Sequence, residues 1–225
     1  MYKHLFLIIL LFLLTSTLVT AQKYNFDDEP EADISGKNNY GMIIKIAPFP
    51  TYWGTIPLTG EYGFALEKKT GLKNSLEFKA AYIGKGLLFM SLAESDTSFA
   101  GYNDLSIVGF RLQVNYRFYI KQASKGLFFA PVFSYANVKF SNAYNPASPY
   151  NIKAQHFDYS AVLGYQFIWG RFAMDVFGGL TYRQRYWIDN SQGKNKPFTE
   201  QEMNDMYFWS SPFRPKLGFL IGYTL

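Results

Sequence analysis

The chain of 225 residues contains no cysteine and only two histidines, and charged residues make up 17% of it. Without cysteine there is no disulfide scaffold, no thiolate zinc site and no thiol nucleophile. An acylated N-terminal cysteine, the mark of a lipoprotein, is excluded too. The charge is low, since a soluble domain usually carries about 25% charged residues. Long apolar runs are scarce: after the first 21 residues no stretch approaches the roughly 18–20 that a membrane helix needs. With a mean hydropathy of −0.09, a polytopic helical membrane protein is ruled out. Phosphate-cradling glycine loops, dinucleotide fingerprints and paired-histidine metal spacings are also missing. Asp27-Asp28-Glu29 lacks the ligand spacing of a calcium loop. No cofactor and no metal are expected. What the sequence does hold is rings: 22 Phe, 18 Tyr and 4 Trp, 20% of the chain.

The N-terminus reads as a secretory signal. Lys3 and His4 form a short basic region, Leu5 to Leu14 is an unbroken apolar run, and Val19-Thr20-Ala21 is a small-residue cleavage pattern. Ten apolar residues suit a signal peptide and fall short of a membrane span. Cleavage is expected after Ala21; an intact Met1 on N-terminal sequencing would overturn it. Residues 22–39 form an acidic segment with Asp27, Asp28, Glu29, Glu31 and Asp33 against Lys23 and Lys37. Its polarity suits a flexible leader. Setting aside Lys3 and the leader's net −3, residues 40–225 carry +7 where the whole chain carries +5. The basic residues are scattered rather than clustered, so no nucleic-acid partner is expected.

Period-two alternation decides the fold class. Over residues 105–120 the even positions are Val108, Phe110, Leu112, Val114, Tyr116, Phe118 and Ile120, while the odd ones include Arg111, Gln113, Asn115 and Arg117. Alternate residues of a strand face opposite ways. A run this long exceeds the usual 5–6 residues of a soluble strand. It suits a membrane barrel, apolar outside and polar inside. The pattern recurs over 40–48, 56–68, 74–84, 126–140, 155–169, 171–187 and 213–225. The outward positions include Ile56 and Leu58 in the second strand, and residues 126–140 alternate less cleanly. Leu87, Leu88, Phe89 and Met90 read as a continuation of the third strand.

These eight strands are joined by connections of alternating length. Lys69–Lys73, Lys121–Lys125 and Gly170 are short; 49–55, 85–104, 141–154 and 188–212 are longer. That alternation separates periplasmic turns from external loops. The expected fold is an all-β, eight-stranded antiparallel up-and-down transmembrane barrel over residues 40–225, monomeric, in the outer membrane. Trp53, Trp169, Trp187 and Trp209 fall at strand ends or beside them and are expected at the membrane interfaces.

Several segments carry a resemblance: Gly60-Glu61-Tyr62-Gly63-Phe64-Ala65-Leu66-Glu67, Val114-Asn115-Tyr116-Arg117-Phe118-Tyr119, Leu163-Gly164-Tyr165-Gln166-Phe167 and Pro215 to Tyr223. On these the chain resembles the small OmpA/OmpX-type barrels and is similar to a domain-of-unknown-function family of outer-membrane proteins of Gram-negative bacteria. The motifs are structural. Such barrels usually close on an aromatic residue; here Leu225 stands last and Tyr223 two before it. The resemblance implies handling by the secretion and barrel-assembly machinery and contact with outer-membrane lipids.

The inward face is expected to hold Lys45, Lys79, Arg111, Arg117, Arg183, Arg185 and Lys216 against Glu61, Glu67, Glu77, Asp158 and Asp175. Side chains fill a barrel of eight strands, and buried charges need partners. An ion-pair network plugging the lumen is therefore expected, with a narrow, porin-like passage as the sharper alternative. An enzyme is the second hypothesis. His156 shares a strand face with Asp158, and Ser141, Ser148 and Ser211 lie in neighbouring loops; lipid A modification is the chemistry such barrels suggest. Binding by the external loops is the third, drawing on Met203, Met206, Tyr207, Phe208 and Trp209.

Overall fold

The computed structural model describes residues 41–52, 54–56, 58–95, 104–142, 151–191, 195–199, 201–202 and 211–225. The expected signal and leader, together with Trp53, Ser148 and the loop residues 203–210 (Trp209 among them), lie outside the described residues. Nine strands follow one another: β1 (Met42–Ile46), β2 (Thr59–Lys69), β3 (Asn74–Lys85), β4 (Leu105–Tyr119), β5 (Gly126–Asn142), β6 (Asn151–Trp169), β7 (Phe172–Asp189), β8 (Lys196–Pro197) and β9 (Phe213–Thr224). Among the described residues, helices α1 (Phe49–Tyr52) and α2 (Leu87–Ser95) sit in connections. Neighbouring strands pair antiparallel from β1 to β7. Then β9 pairs with both β7 and β1, closing an eight-stranded up-and-down barrel, while β8 adds a two-residue ladder to β7.

Register fixes which residues share a ring. One hydrogen-bonded row passes through Ile44, Leu66, Phe78, Val114, Phe133, Tyr159, Tyr182 and Phe213, apolar on all eight strands. One residue further along lies the row Lys45, Ala65, Lys79, Gln113, Ser134, Asp158 and Arg183. The first row faces out and is substantially exposed; the second faces in and is buried. The rows climb. Continuing the Ile46–Ile221 register would set Phe213 opposite residue 54, ten positions beyond the Ile44 where the circuit began. That shear obliges the strands to tilt, by roughly 35–45° in barrels generally.

The short connections are tight turns. Trp169 pairs with Phe172 across the two residues Gly170-Arg171, and Gly170 has φ +57°. A type II′ hairpin reserves its first central position for glycine because a side chain there is strained. The β4–β5 turn tucks under the barrel: Ala123 and Ser124 are buried, and the Ala123 amide donates to the Leu72 carbonyl at 2.8 Å.

Two expectations require correction. Leu87 to Met90 do not extend the third strand; they open α2, with the Met90 amide donating to the Gly86 carbonyl at 3.0 Å. Beyond Lys85 the ladders run out: β2 begins opposite it at Thr59, the Gly86 amide makes a last bond to the Leu58 carbonyl at 3.3 Å, and the β4 register stops at Ile83–Gly109. A helix satisfies its own backbone groups where a strand would have none to pair with. Ile56 and Leu58 do not face outward either. Leu58 adopts φ +65°, which breaks the alternation, and Ile56 is wholly buried inside the barrel mouth.

Candidate functional site

The interior is built in three levels. The lowest joins five charged side chains from five strands. Lys45 on β1 donates to Asp175 Oδ2 at 2.6 Å, to Glu77 Oε2 at 3.1 Å and to Glu67 Oε2. Arg117 on β4 donates to Asp175 Oδ2 at 2.6 Å and to Glu77 Oε2. Their wall neighbours complete the shell. Ser75 and the turn residue Ser124 donate to Glu67 Oε1 at 2.6 and 2.8 Å, Tyr119 adds a third donor at 2.8 Å, and Asn115 donates to Glu77 Oε1 at 2.6 Å. Glu67, Glu77 and Asp175 bring carboxylate oxygens close enough to hold one cation between them. The Lys45 ammonium already fills that place. With charges withdrawn from water, such mutual pairing is what makes the arrangement tolerable.

The middle level turns on Asp158 and Glu61. Arg183 forks onto Asp158 at 2.6 and 2.7 Å, and Arg111 donates to Asp158 Oδ2 at 3.0 Å. Glu61 lies 3.2 Å from Arg111 Nε and 3.6 Å from Lys79. The β1–β2 connection reaches down into this level. Thr55 donates from its amide and hydroxyl to Glu61 at 3.2 and 2.8 Å, and its carbonyl accepts from Arg183 Nη1 at 2.8 Å. Lys216 donates to Ser160 Oγ at 3.3 Å. Between these two levels a cavity of about 10 Å³ touches Gln113, Asn115, Arg117 and Lys216 on one side and Phe128, Val132, Val162 and Phe177 on the other. That is room for about one water molecule.

The top level is apolar. Ile56, Ile83, Ile107, Val138, Phe140, Ile152, Ala154 and Trp187 form one buried cluster, joined from α2 by Ala93 and Phe89. Here the strands reverse polarity. On β5 the outward residues run Leu127, Phe129, Phe133, Tyr135 and then Asn137, Lys139, Ser141. On the antiparallel β6, read from the opposite end, the order is Asn151, Lys153, Gln155 and then Phe157, Tyr159, Leu163. The outward apolar stretch of β6, Phe157–Trp169, is about 28–32 Å tall for a strand rising ~3.3 Å per residue at that tilt. The apolar band of a membrane barrel is about 25 Å.

The charged candidates are thus brought together in two groups: Lys45, Glu67, Glu77, Arg117 and Asp175 below, and Glu61, Lys79, Arg111, Asp158, Arg183 and Lys216 above. Arg185 lies next along the same face of β7 as Arg183, half-buried. The serine, threonine and tyrosine hydroxyls that complete the network escape a reading of the sequence, because small polar residues on an inward face carry no signal of their own.

His156 and Asp158 share the inward face, and each is engaged elsewhere. His156 Nε2 accepts the indole N–H of Trp187 at 2.9 Å, and the two rings stack. Asp158 is held by the arginines. Of the neighbouring serines, Ser211 accepts from the Phe213 amide at 3.2 Å. Trp187 therefore departs from its expected interfacial position. It is 8% exposed and packs inside on Phe140 and Phe198. Its odd number places it on the inward face of β7, with Arg183 and Arg185. Trp169 is on the outer face, 55% exposed, stacked between Phe167 and Phe172.

The fold and its faces define a closed eight-stranded antiparallel barrel with an apolar exterior and a charged interior. No protein-family model matches the sequence, and no curated protein matches it. Among solved structures it is similar to a major outer membrane protein from Thermus thermophilus, with a TM-score of 0.41 and 9% identity over 82% of this chain and 99% of that one.

Proposed function

We propose that the mature chain is an integral outer-membrane barrel whose charged interior is a structural plug rather than a conduit. The observation that carries this is the pair of adjacent rows, one apolar on every strand and facing out, the next polar or charged over most of the circuit and facing in. In water the outer row would expose a hydrophobic belt round the whole molecule, far larger than the few hundred Å² a soluble monomer tolerates. In lipid it becomes the membrane-contacting surface. On this reading the short turns, with the start of β1 and the end of β9, face the periplasm, as the resemblance to the small OmpA/OmpX-type barrels implies. Secretion after signal cleavage and insertion by the barrel-assembly machinery follow from that placement, with the barrel acting as a monomer. The plug rests on the two ion-pair levels, on Thr55 and Ile56 at the mouth and on Ser124 beneath.

Fractionation tests the location: the protein should stay in the membrane pellet through osmotic shock and dissolve only in detergent, and release by osmotic shock would overturn it. Planar-bilayer recording tests the plug. No steady conductance is expected, and a reproducible open level would defeat it.

A further inference from the structure

The wall of the barrel is not hydrogen-bonded all the way round. β9 runs from Phe213 to Thr224 but meets β1 only at Ile221–Thr224; on the other side of the slot, β2 meets β1 only from Phe64 downward. The upper parts of β9 and β2 therefore face each other across a place where β1 has already ended. Ala47 to Tyr52, with α1, occupies it. This piece is fastened to β2. Thr51 Oγ1 donates to the Glu61 carbonyl at 3.2 Å, and Gly60 lies so close to the Thr51 carbonyl that a Cβ would come within 2.5 Å of it. Toward β9 the contact is one edge-on pair of rings, Phe49 and Phe219, with centroids 5.8 Å apart, and no backbone hydrogen bond crosses among the described residues. Prolines flank both sides, Pro48 and Pro50 on one and Pro212 and Pro215 on the other. A residue without an N–H suits an edge that has nothing to pair with.

The two sides of this seam differ in chemistry. Outside are Phe49, Phe213 and Leu217, 67%, 61% and 81% exposed. Immediately inside is Lys216, on the opposite face of β9. Its ammonium reaches the Ser160 hydroxyl but has no carboxylate within ion-pair distance among the described residues. Among the described residues the carboxylates of its level, Glu61 and Asp158, are engaged by Lys79, Arg111 and Arg183. An apolar approach leading to an under-neutralised cation fits an amphiphile with an anionic head.

We propose that the α1–β9 seam is a lateral portal through which the anionic headgroup of a membrane lipid reaches Lys216, its acyl chains remaining against Phe49, Phe213 and Leu217. This rests on the membrane reading above. The absence of native cysteine allows a clean test. Full mature protein, refolded lipid-free, is mixed with vesicles of phosphatidylcholine and phosphatidylglycerol, recovered by flotation and examined by native mass spectrometry. One phosphatidylglycerol per barrel should be retained. Lys216→Met should lower retention about tenfold. A Phe49→Cys/Phe219→Cys bridge across the seam should do the same when oxidised and release the block when reduced. Equal retention of phosphatidylcholine, no retained lipid on floated protein, or retention indifferent to both Lys216→Met and the bridge would overturn the portal while leaving the membrane reading intact. Protein that fails to float overturns both.

Discussion

Strands β5, β6 and β7 pass through two environments, and the same alternation carries opposite polarity in each. Up to Tyr135 on β5, and from Phe157 onward on β6, apolar side chains point out; inward, β6 carries Asp158, Ser160 and Gln166, while β5 carries Phe128, Ala130 and Val132 and then Ser134. Beyond that boundary Asn137, Lys139, Lys153 and Gln155 point out, while Val138, Phe140, Ile152 and Ala154 point in. A ring of aromatics marks the change: Tyr135 lies 4.9 Å from Phe157, and Phe157 6.0 Å from Tyr186, centroid to centroid. Such rings concentrate where apolar and wet surroundings meet. On the membrane reading proposed above, the lower region faces lipid and holds its charged groups inside because the outside would not solvate them. The upper region behaves as a small soluble sheet structure, with an oily core of its own and a wet surface. The inversion reports the solvent on each side of the wall, residue by residue.

Substitutions in the two regions should separate this comparison or break it. The largest effect is expected from Arg117→Ala in the lower level. It leaves Glu67, Glu77 and Asp175 with Lys45 alone, and breaking a buried ionic cluster costs about 3–5 kcal/mol. Denaturant unfolding in detergent measures it; a loss under about 1 kcal/mol would mean that the level is hydrated rather than mutually paired. Next comes Val114→Arg, outward in the lipid band, at about 2–4 kcal/mol. Trp187→Phe should cost about 1–2 kcal/mol, because it removes the buried indole N–H bond to His156 Nε2. That loss should be the same in short-chain and long-chain detergents if the upper region stands clear of the lipid. The smallest is Asn137→Arg, also outward but only one strand away from Phe110 and above the aromatic ring. Away from the lipid it should stay within about 0.5 kcal/mol. If it matches Val114→Arg, the boundary between the regions has been drawn too low.

Much of the fold was legible because an apolar outer face and a polar or charged inner face impose period two on the strands, and the short turns Lys69–Lys73 and Gly170 show where it restarts. Residues 126–140 alternate poorly in sequence for two reasons the structure supplies: Phe128, Ala130 and Val132 point into a small apolar cluster, so both faces are apolar there, and Ala136, Val138 and Phe140 belong to the inverted region. Trp187 illustrates two cues in conflict. Its parity places it inside, its position near a strand end suggests the interface, and packing against Phe140 and His156 decides for parity. The site was legible as a set of charges and not as two levels, since level depends on register between strands distant in sequence. Ile56 and Thr55 were beyond reach, because nothing local tells a connection that folds into the mouth from one that stands in water.

The climbing rows have a consequence for how the molecule comes into being. Every pairing but one joins strands adjacent in the barrel's chain order, so successive hairpins form at modest separation along the sequence. The exception is β1 with β9, residues about 180 positions apart held by four register pairs, Ile43–Ile46 with Ile221–Thr224. Bringing such distant ends together carries the largest loop-closure entropy in the molecule, and pairings of that kind come late and slowly. Until then the chain is an open curved sheet with two bare edges. The last event in its maturation is the fastening of the shortest barrel strand to the C-terminal one.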